Sequence, residues 1–180
     1  MRISPPDPGR IFAIAVLSLA AVVAPVTSGD EVVQPPQEFL AETFHGEVPE
    51  PAVLWLGDAL QARSRSILHH PYPALRVRYW RQGERTAWIL EEVGKERPIT
   101  TGIVVNAGKI ERLQVLIYRE SRGWEVRYPA FTHQFEGAGL EEDAALDRSV
   151  DGISGATLSV TALKKLAALA LVFHRSVTDG

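Results

Sequence analysis

Apolar and polar positions alternate along most of the chain, and the period changes several times. Val53, Leu56, Leu60 and Ile67 recur at helical spacing with Asp58, Gln61, Arg63 and Arg65 between them, which predicts a helix with one stripe facing a core. Pro71-Tyr72-Pro73 ends it, because proline cannot continue the hydrogen-bond ladder. Period-two alternation follows, with Leu75, Val77 and Tyr79 set against Arg76, Arg78 and Trp80; this predicts the first of four strands, apolar on one face and cationic-aromatic on the other. Residues 86–93 form the second, and a loop spans 94–98. Residues 99–105 and 110–118 make a hairpin through Asn106-Ala107-Gly108-Lys109, whose Asn and Gly suit positive φ angles. In the last strand Leu113, Val115 and Ile117 are expected on one face, with Arg112, Gln114 and Leu116 on the other. Residues 119–139 break the pattern as a long loop holding Trp124, Tyr128, Phe131 and Phe135, and loops of that length inside a compact domain are commonly functional. An acidic turn or helix over 141–147 leads to a final helix from about Leu158, with Leu163, Leu166, Ala170 and Phe173 on its apolar face. The fold class expected is α+β, a largely antiparallel sheet packed with helices.

Composition narrows the function classes. A chain of 180 residues, 46% apolar and 23% charged, is expected to build one globular core. Its net charge of −3 offers no basic face, which excludes nucleic acid as a partner. Without cysteine there can be no disulfide, thiolate zinc site, thiolate-held iron–sulfur cluster or CxxCH haem attachment, so any redox role needs another cofactor. Arg2 and Arg10 precede the apolar run 11–26, which ends in Val26-Thr27-Ser28-Gly29. Residues 1–28 thus read as a signal peptide and the chain as periplasmic or otherwise exported; an uncleaved anchor is the alternative, and Pro25 and the run's shortness speak against it. Residues 29–51, with Pro35, Pro36, Pro49 and Pro51, read as an extended lead-in, and 52–180 as the domain. No later stretch is expected to span a membrane, since the apolar tract 167–173 is short and follows Lys164-Lys165.

The chemistry concentrates in Asp151-Gly152-Ile153-Ser154-Gly155-Ala156-Thr157. Ser154 to Thr157 lie where a loop becomes a helix, so free N–H groups and the positive end of the helix dipole converge on them. A phosphate is favoured there, Gly155 permits close backbone approach, and Thr157 presents a hydroxyl beside it. On these four residues alone, a serine N-cap opening an ordinary helix is the commoner reading.

The longer stretch 151–159 resembles the flavinylation motif of the FMN-binding domain family, found in the C subunit of the sodium-translocating NADH:quinone reductase and the G subunit of the Rnf complex. The resemblance runs from about Pro98 to Phe173. It implies FMN in phosphoester linkage to Thr157, installed from FAD by a separate magnesium-dependent flavin transferase, with the flavin site at the start of the C-terminal helix. It also implies that Glu120-Ser121-Arg122-Gly123, which stands where the family often has Glu-Thr-Pro-Gly, lies near the flavin; Glu120 and Gly123 are kept, and the threonine and proline are not. Cofactor-binding residues on this reading are Thr157, Ser154, Gly155, Ala156, Glu120, Ser121 and Gly123. Asp151, a carboxylate repelled by a neighbouring phosphate, is either part of the attachment motif serving the transferase reaction or a turn residue.

The expected function is an exported electron carrier that passes electrons between redox protein partners, membrane-bound ones included, and not a complete enzyme by itself. Two alternatives stand beside it. One is a flavin-free binding or scaffold domain. The other is a serine hydrolase, since Gly152-Ile153-Ser154-Gly155-Ala156 nearly matches the nucleophile elbow and His133 or His174 would supply the base; that elbow needs a buried apolar strand before its serine, and the segment here is acidic. His69-His70 lacks the spacing of a helical ligand pair and reads as surface.

Overall fold

The computed structural model describes residues 30–142 and 144–179, so the expected signal segment lies outside the described residues. A six-stranded antiparallel sheet runs in the order β1-β6-β5-β4-β3-β2. The four expected strands are β3 (Arg76–Gln82), β4 (Arg85–Val93), β5 (Pro98–Asn106) and β6 (Lys109–Tyr118), joined as neighbours by short hairpins. The β5–β6 turn has positive φ at Ala107 and Gly108, 48° and 74°, while Asn106 still pairs with Lys109 in the ladder. The left-handed pair therefore sits one position later than Asn106, as a two-residue primed turn requires.

Along β6 the register slips twice. Thr100 pairs with Ile117 and Thr101 with Val115, so Leu116 is an extra residue, and Glu111 is another between the Val104 and Val105 pairings. A bulge reverses the alternation beyond it. Leu113, Val115 and Tyr118 consequently join the main core, whereas Leu116 and Ile117 both pack on the opposite face, which corrects the expected placing of Ile117 beside Val115.

The lead-in is a folded part of the domain rather than an extended approach to it. Its first strand, β1 (Glu31–Val32), pairs with β6, and α1 (Pro36–Thr43) follows. The prolines read as extended open that helix instead: Pro35 is its N-cap and Pro36 its first residue, where a fixed φ and a missing N–H cost nothing. Phe39, Leu40 and Phe44 then bury against Ala87, Val104 and Leu116. Gly102 in β5 makes room for them, since a Cβ there would stand 2.7 Å from the Phe39 ring. The helix expected from Val53 onward is likewise divided. β2 (Ala52–Trp55) is an edge strand on β3, and α2 (Asp58–Leu68) begins only after Gly57. Val53 and Leu56 thus lie before the helix, because the Ala-Val-Leu-Trp run completes the sheet before Gly57 breaks it.

The other sheet face is covered by α4 (Thr157–Thr178), with α2 beside it. Leu163, Leu166, Ala170 and Phe173 are all buried, as their spacing predicted, and Phe173 meets Trp88 and Tyr72 with ring centroids 5.6 and 5.8 Å apart. At 22 residues α4 is long and apolar enough to cross a membrane by length and composition, contrary to the expectation that no later stretch would be. Most of that apolar surface, 72% of the window, is buried against the sheet and α2, so it serves as the core helix. The long loop between β6 and α4 contains 3-10 turns at Trp124–Arg127 and His133–Phe135 around the short α3 (Pro129–Thr132), and Leu140 and Leu146 form an isolated antiparallel bridge.

Candidate functional site

The start of α4 is shaped by a turn. Ala156 N–H donates to the Ile153 carbonyl at 3.0 Å, with Gly155 at φ +81° in the third position, a conformation that strains any residue with a Cβ. The chain therefore enters the helix two residues later than a serine cap would have it. Ala156 is the N-cap, with no side-chain cap hydrogen bond, and Ser154 sits exposed at the turn's corner. The first intrahelical bond runs from Val160 N–H to the Ala156 carbonyl at 2.9 Å, which leaves the N–H groups of residues 157–159 without acceptors inside the helix. Thr157, the first residue of α4, is exposed, and among the described residues its hydroxyl has no hydrogen-bond partner.

These groups open on a cleft of about 480 Å³ between Gly155–Ser159 on one side and Lys95, Glu96, Glu120, Ser121 and Arg122 on the other. Glu120 builds that second wall. Its Oε1 accepts N–H bonds from Lys95, Glu96 and Arg97 at 2.5, 2.7 and 3.0 Å, so a single carboxylate oxygen gathers the β4–β5 loop. Partial burial pushes this carboxyl up, but the three N–H bonds and the Lys95 charge outweigh it and hold Glu120 below the usual carboxylate range. Gly94 must lack a side chain for this, because its Cβ would lie 2.8 Å from Glu120 Oε1 and 3.3 Å from Ser159 Oγ. Gly123, at φ +76°, rests on the motif itself: a Cβ there would lie 2.8 Å from the Ala156 Cβ. Tyr118 Oη donates to the Arg122 carbonyl at 2.5 Å and lies 3.4 Å from Ser159 Oγ, and burial pushes its phenol up. Arg122 has no carboxylate partner among the described residues.

A second hollow of about 310 Å³ shares Glu120 and Ser121 with the first and is bordered by Trp124, Arg127 and Tyr128. The loop aromatics divide here. Phe131 and Phe135 are core residues, while Trp124 and Tyr128 are each 45% exposed and meet edge to face, with Arg127 beside both rings and in an ion pair with Glu31.

The structure thus brings Thr157, Gly155, Ala156, Glu120 and Ser121 to one cleft, with Gly123 supporting it from behind. Ser154 and Asp151 do not line it; Asp151 is exposed, and its backbone N–H donates to Gln134 Oε1 at 2.8 Å. The residues missed in the sequence are Lys95, Glu96 and Tyr118, while Arg122 and Ser159 lay within the loop and motif already read there without being singled out. Only Gly94, a small residue at the head of the hairpin loop, marked that region beforehand. Two requirements of the hydrolase reading are not met: Ser154 follows an irregular segment rather than a strand, and His174 lies 17 positions beyond Thr157, about 25 Å along the helix axis. His174 is instead buried, its Nδ1 2.8 Å from Thr86 Oγ1, while Nε2 accepts the Gly108 N–H at 3.2 Å.

What these elements define is an α+β domain with an uncapped helix N-terminus and a free hydroxyl facing a recessed cleft, a place suited to a phosphate ester with a planar group beside it. The comparison with known families agrees. A family model of the FMN-binding domain matches residues 94–172. The match begins at Gly94 and takes in the Glu120 loop, the motif and most of α4. No curated protein matches the chain. The chain is a flavin-binding protein with FMN as its cofactor.

Proposed function

We propose that Thr157 carries the FMN covalently, through a phosphoester on its hydroxyl, and that the chain is an exported electron carrier between redox protein partners. The observation that carries this reading is the exposed, unpartnered Thr157 hydroxyl at the first residue of an uncapped helix, inside the segment matched by the family. Attachment from FAD balances without any redox step: the Thr157 oxygen bonds to the flavin-side phosphorus, the phosphoanhydride bond breaks, AMP leaves, and the hydroxyl proton is released. A separate flavin transferase supplies that catalysis. Asp151, exposed and outside the cleft, serves the transferase and not the bound flavin on this reading.

The flavin supplies electron transfer when bound, and the protein supplies placement and surroundings. The free N–H groups of residues 157–159 and the Arg122 guanidinium favour the phosphate. Glu120 keeps the Lys95–Arg97 wall in place, and Trp124 and Tyr128 border the ring from the second hollow. The test is the intact mass of the chain exported together with its transferase. A gain of one FMN less one water is expected, absent from Thr157→Val; an unmodified wild-type mass defeats the covalent reading. Asp151→Ala is expected to slow incorporation without loosening flavin already attached, and normal incorporation removes Asp151 from the proposal.

A further inference from the structure

Helix α1 covers only part of its sheet face. Phe39, Leu40 and Phe44 lie over Ala87, Val104 and Leu116 of β4, β5 and β6, and among the described elements α1 makes its main strand contacts with β4 and β5, leaving β2 and β3 at the edge less covered. Between α1 and β2 runs a groove of about 650 Å³, larger than the Thr157 cleft and sharing no lining residue with it. Leu40, Val53, Trp80 and Ile89 give it an apolar bed, and Arg76 and Arg78 stand in its wall.

Those two arginines lack the side-chain hydrogen bonds and ion pairs that eight of the eleven other described arginines have, Arg63, Arg81, Arg148 and Arg175 each donating to a backbone carbonyl. Arg85, Arg112, Arg119 and Arg127 each hold a carboxylate. Among the described residues Arg76 has only the Trp55 ring, 5.8 Å away, and Arg78 has no ion pair or hydrogen bond from its side chain. As residues two apart on one strand they point the same way, roughly 6.6 Å apart along it. Two like charges at that spacing repel, and no acid among the described residues pairs with either. The complement of an apolar bed with two free guanidiniums at its side is a molecule with an apolar body and a terminal oxyanion, which a guanidinium fork binds through paired N–H groups. The bed lies between a helix and a strand in a groove of about 650 Å³, a volume suited to one small molecule.

We infer that this groove is a second ligand site, independent of the flavin, for a single small amphipathic carboxylate whose apolar part lies on Leu40, Val53, Trp80 and Ile89 and whose carboxylate lies between Arg76 and Arg78. Decanoate is the probe, followed through backbone amide shifts of the whole chain. Saturable binding of one decanoate is expected, with shifts confined to α1, β2, β3 and Ile89 of β4. Binding should weaken by at least about tenfold in the Arg76→Gln/Arg78→Gln double variant, whose side chains are exposed and whose amide dispersion reports that it remains folded. Decanol and decyltrimethylammonium should bind far more weakly. Equal binding of decanol, equal binding by the double variant, shifts located elsewhere or no saturation overturns the inference. So does association with phosphatidylglycerol vesicles without binding of monomeric decanoate, which would make the face a membrane contact. Repeating the titration on Thr157→Val separates the two sites: decanoate binding is expected to persist whether or not the flavin reading stands.

Discussion

The two ends of α4 are built to opposite rules. At its C-terminal end His174 is 2% exposed and both ring nitrogens are engaged, one with Thr86 Oγ1, which also accepts from Trp88 Nε1, and one with the Gly108 N–H of the β5–β6 turn. At its N-terminal end the N-cap is an alanine, the first N–H groups lack intrahelical acceptors, and an exposed threonine lines the cleft with its hydroxyl unpartnered among the described residues. A helix seated firmly by one end and its apolar face can leave the other end unsatisfied, and an unsatisfied, positively polarised helix end is where an anionic cofactor gains most. The contrast separates a stability region from a binding region on one element.

The sharpest way to break it is Thr157→Val, which should abolish attached flavin completely while leaving unfolding by urea nearly unchanged; a large loss of stability would mean that the N-terminal end is structural after all. Next in size, Phe173→Ala should cost about 3–5 kcal/mol in urea unfolding, because a ring buried against Trp88 and Tyr72 leaves a cavity. Between these regions stands Gly123, which supports the motif from below. Gly123→Ala should destabilise by about 1–3 kcal/mol and reduce flavin incorporation, since the new Cβ meets Ala156 at 2.8 Å in a left-handed backbone. Gly155→Ala has open space around its Cβ and should cost only about 1 kcal/mol, from the positive φ alone. The order of these two glycine variants, read by thermal unfolding, tests whether the turn is positioned by contact or by its own conformation.

The smallest effect is one of pH. Burial pushes the His174 imidazole below its ordinary value, so the unfolded chain binds that proton more readily than the folded one. Its contribution is therefore intact above about pH 6.5 and declines as the pH falls below it. His70 runs the other way: the Pro71 carbonyl and Glu92 raise it, so its contribution is full at low pH and is lost as the pH rises through the raised value. Denaturation midpoints between pH 5 and 8 should show a flatter acid slope in His174→Gln and a flatter neutral slope in His70→Asn.

Much of this was readable from residue order. Four strands, their antiparallel pairing and the buried stripe of α4 follow from period and turn residues, because local alternation is what decides which face of an element can be buried. The start of α4 was legible only approximately: the cap falls on Ala156 instead of Ser154, because Gly155 at φ +81° completes an Ile153–Ala156 turn before the helix begins. Glu120, expected near the flavin, lines the Thr157 cleft and also anchors the loop at 95–97, 23 to 25 positions away, a bond whose partner no local pattern names. The lead-in failed for a related reason. Prolines signal extension or a helix start equally well, and only the sheet face waiting for Phe39 and Phe44 selects the helix.

The chain's own sequence therefore determined four of the strands and the core stripe of α4, since each of these depends on neighbours a few positions apart. Only the tertiary structure decided which loop walls face Thr157, which aromatics stay exposed beside it and where two arginines are left without acids. Those outcomes depend on contacts between residues far apart in the chain, and spacing along one segment carries no information about them.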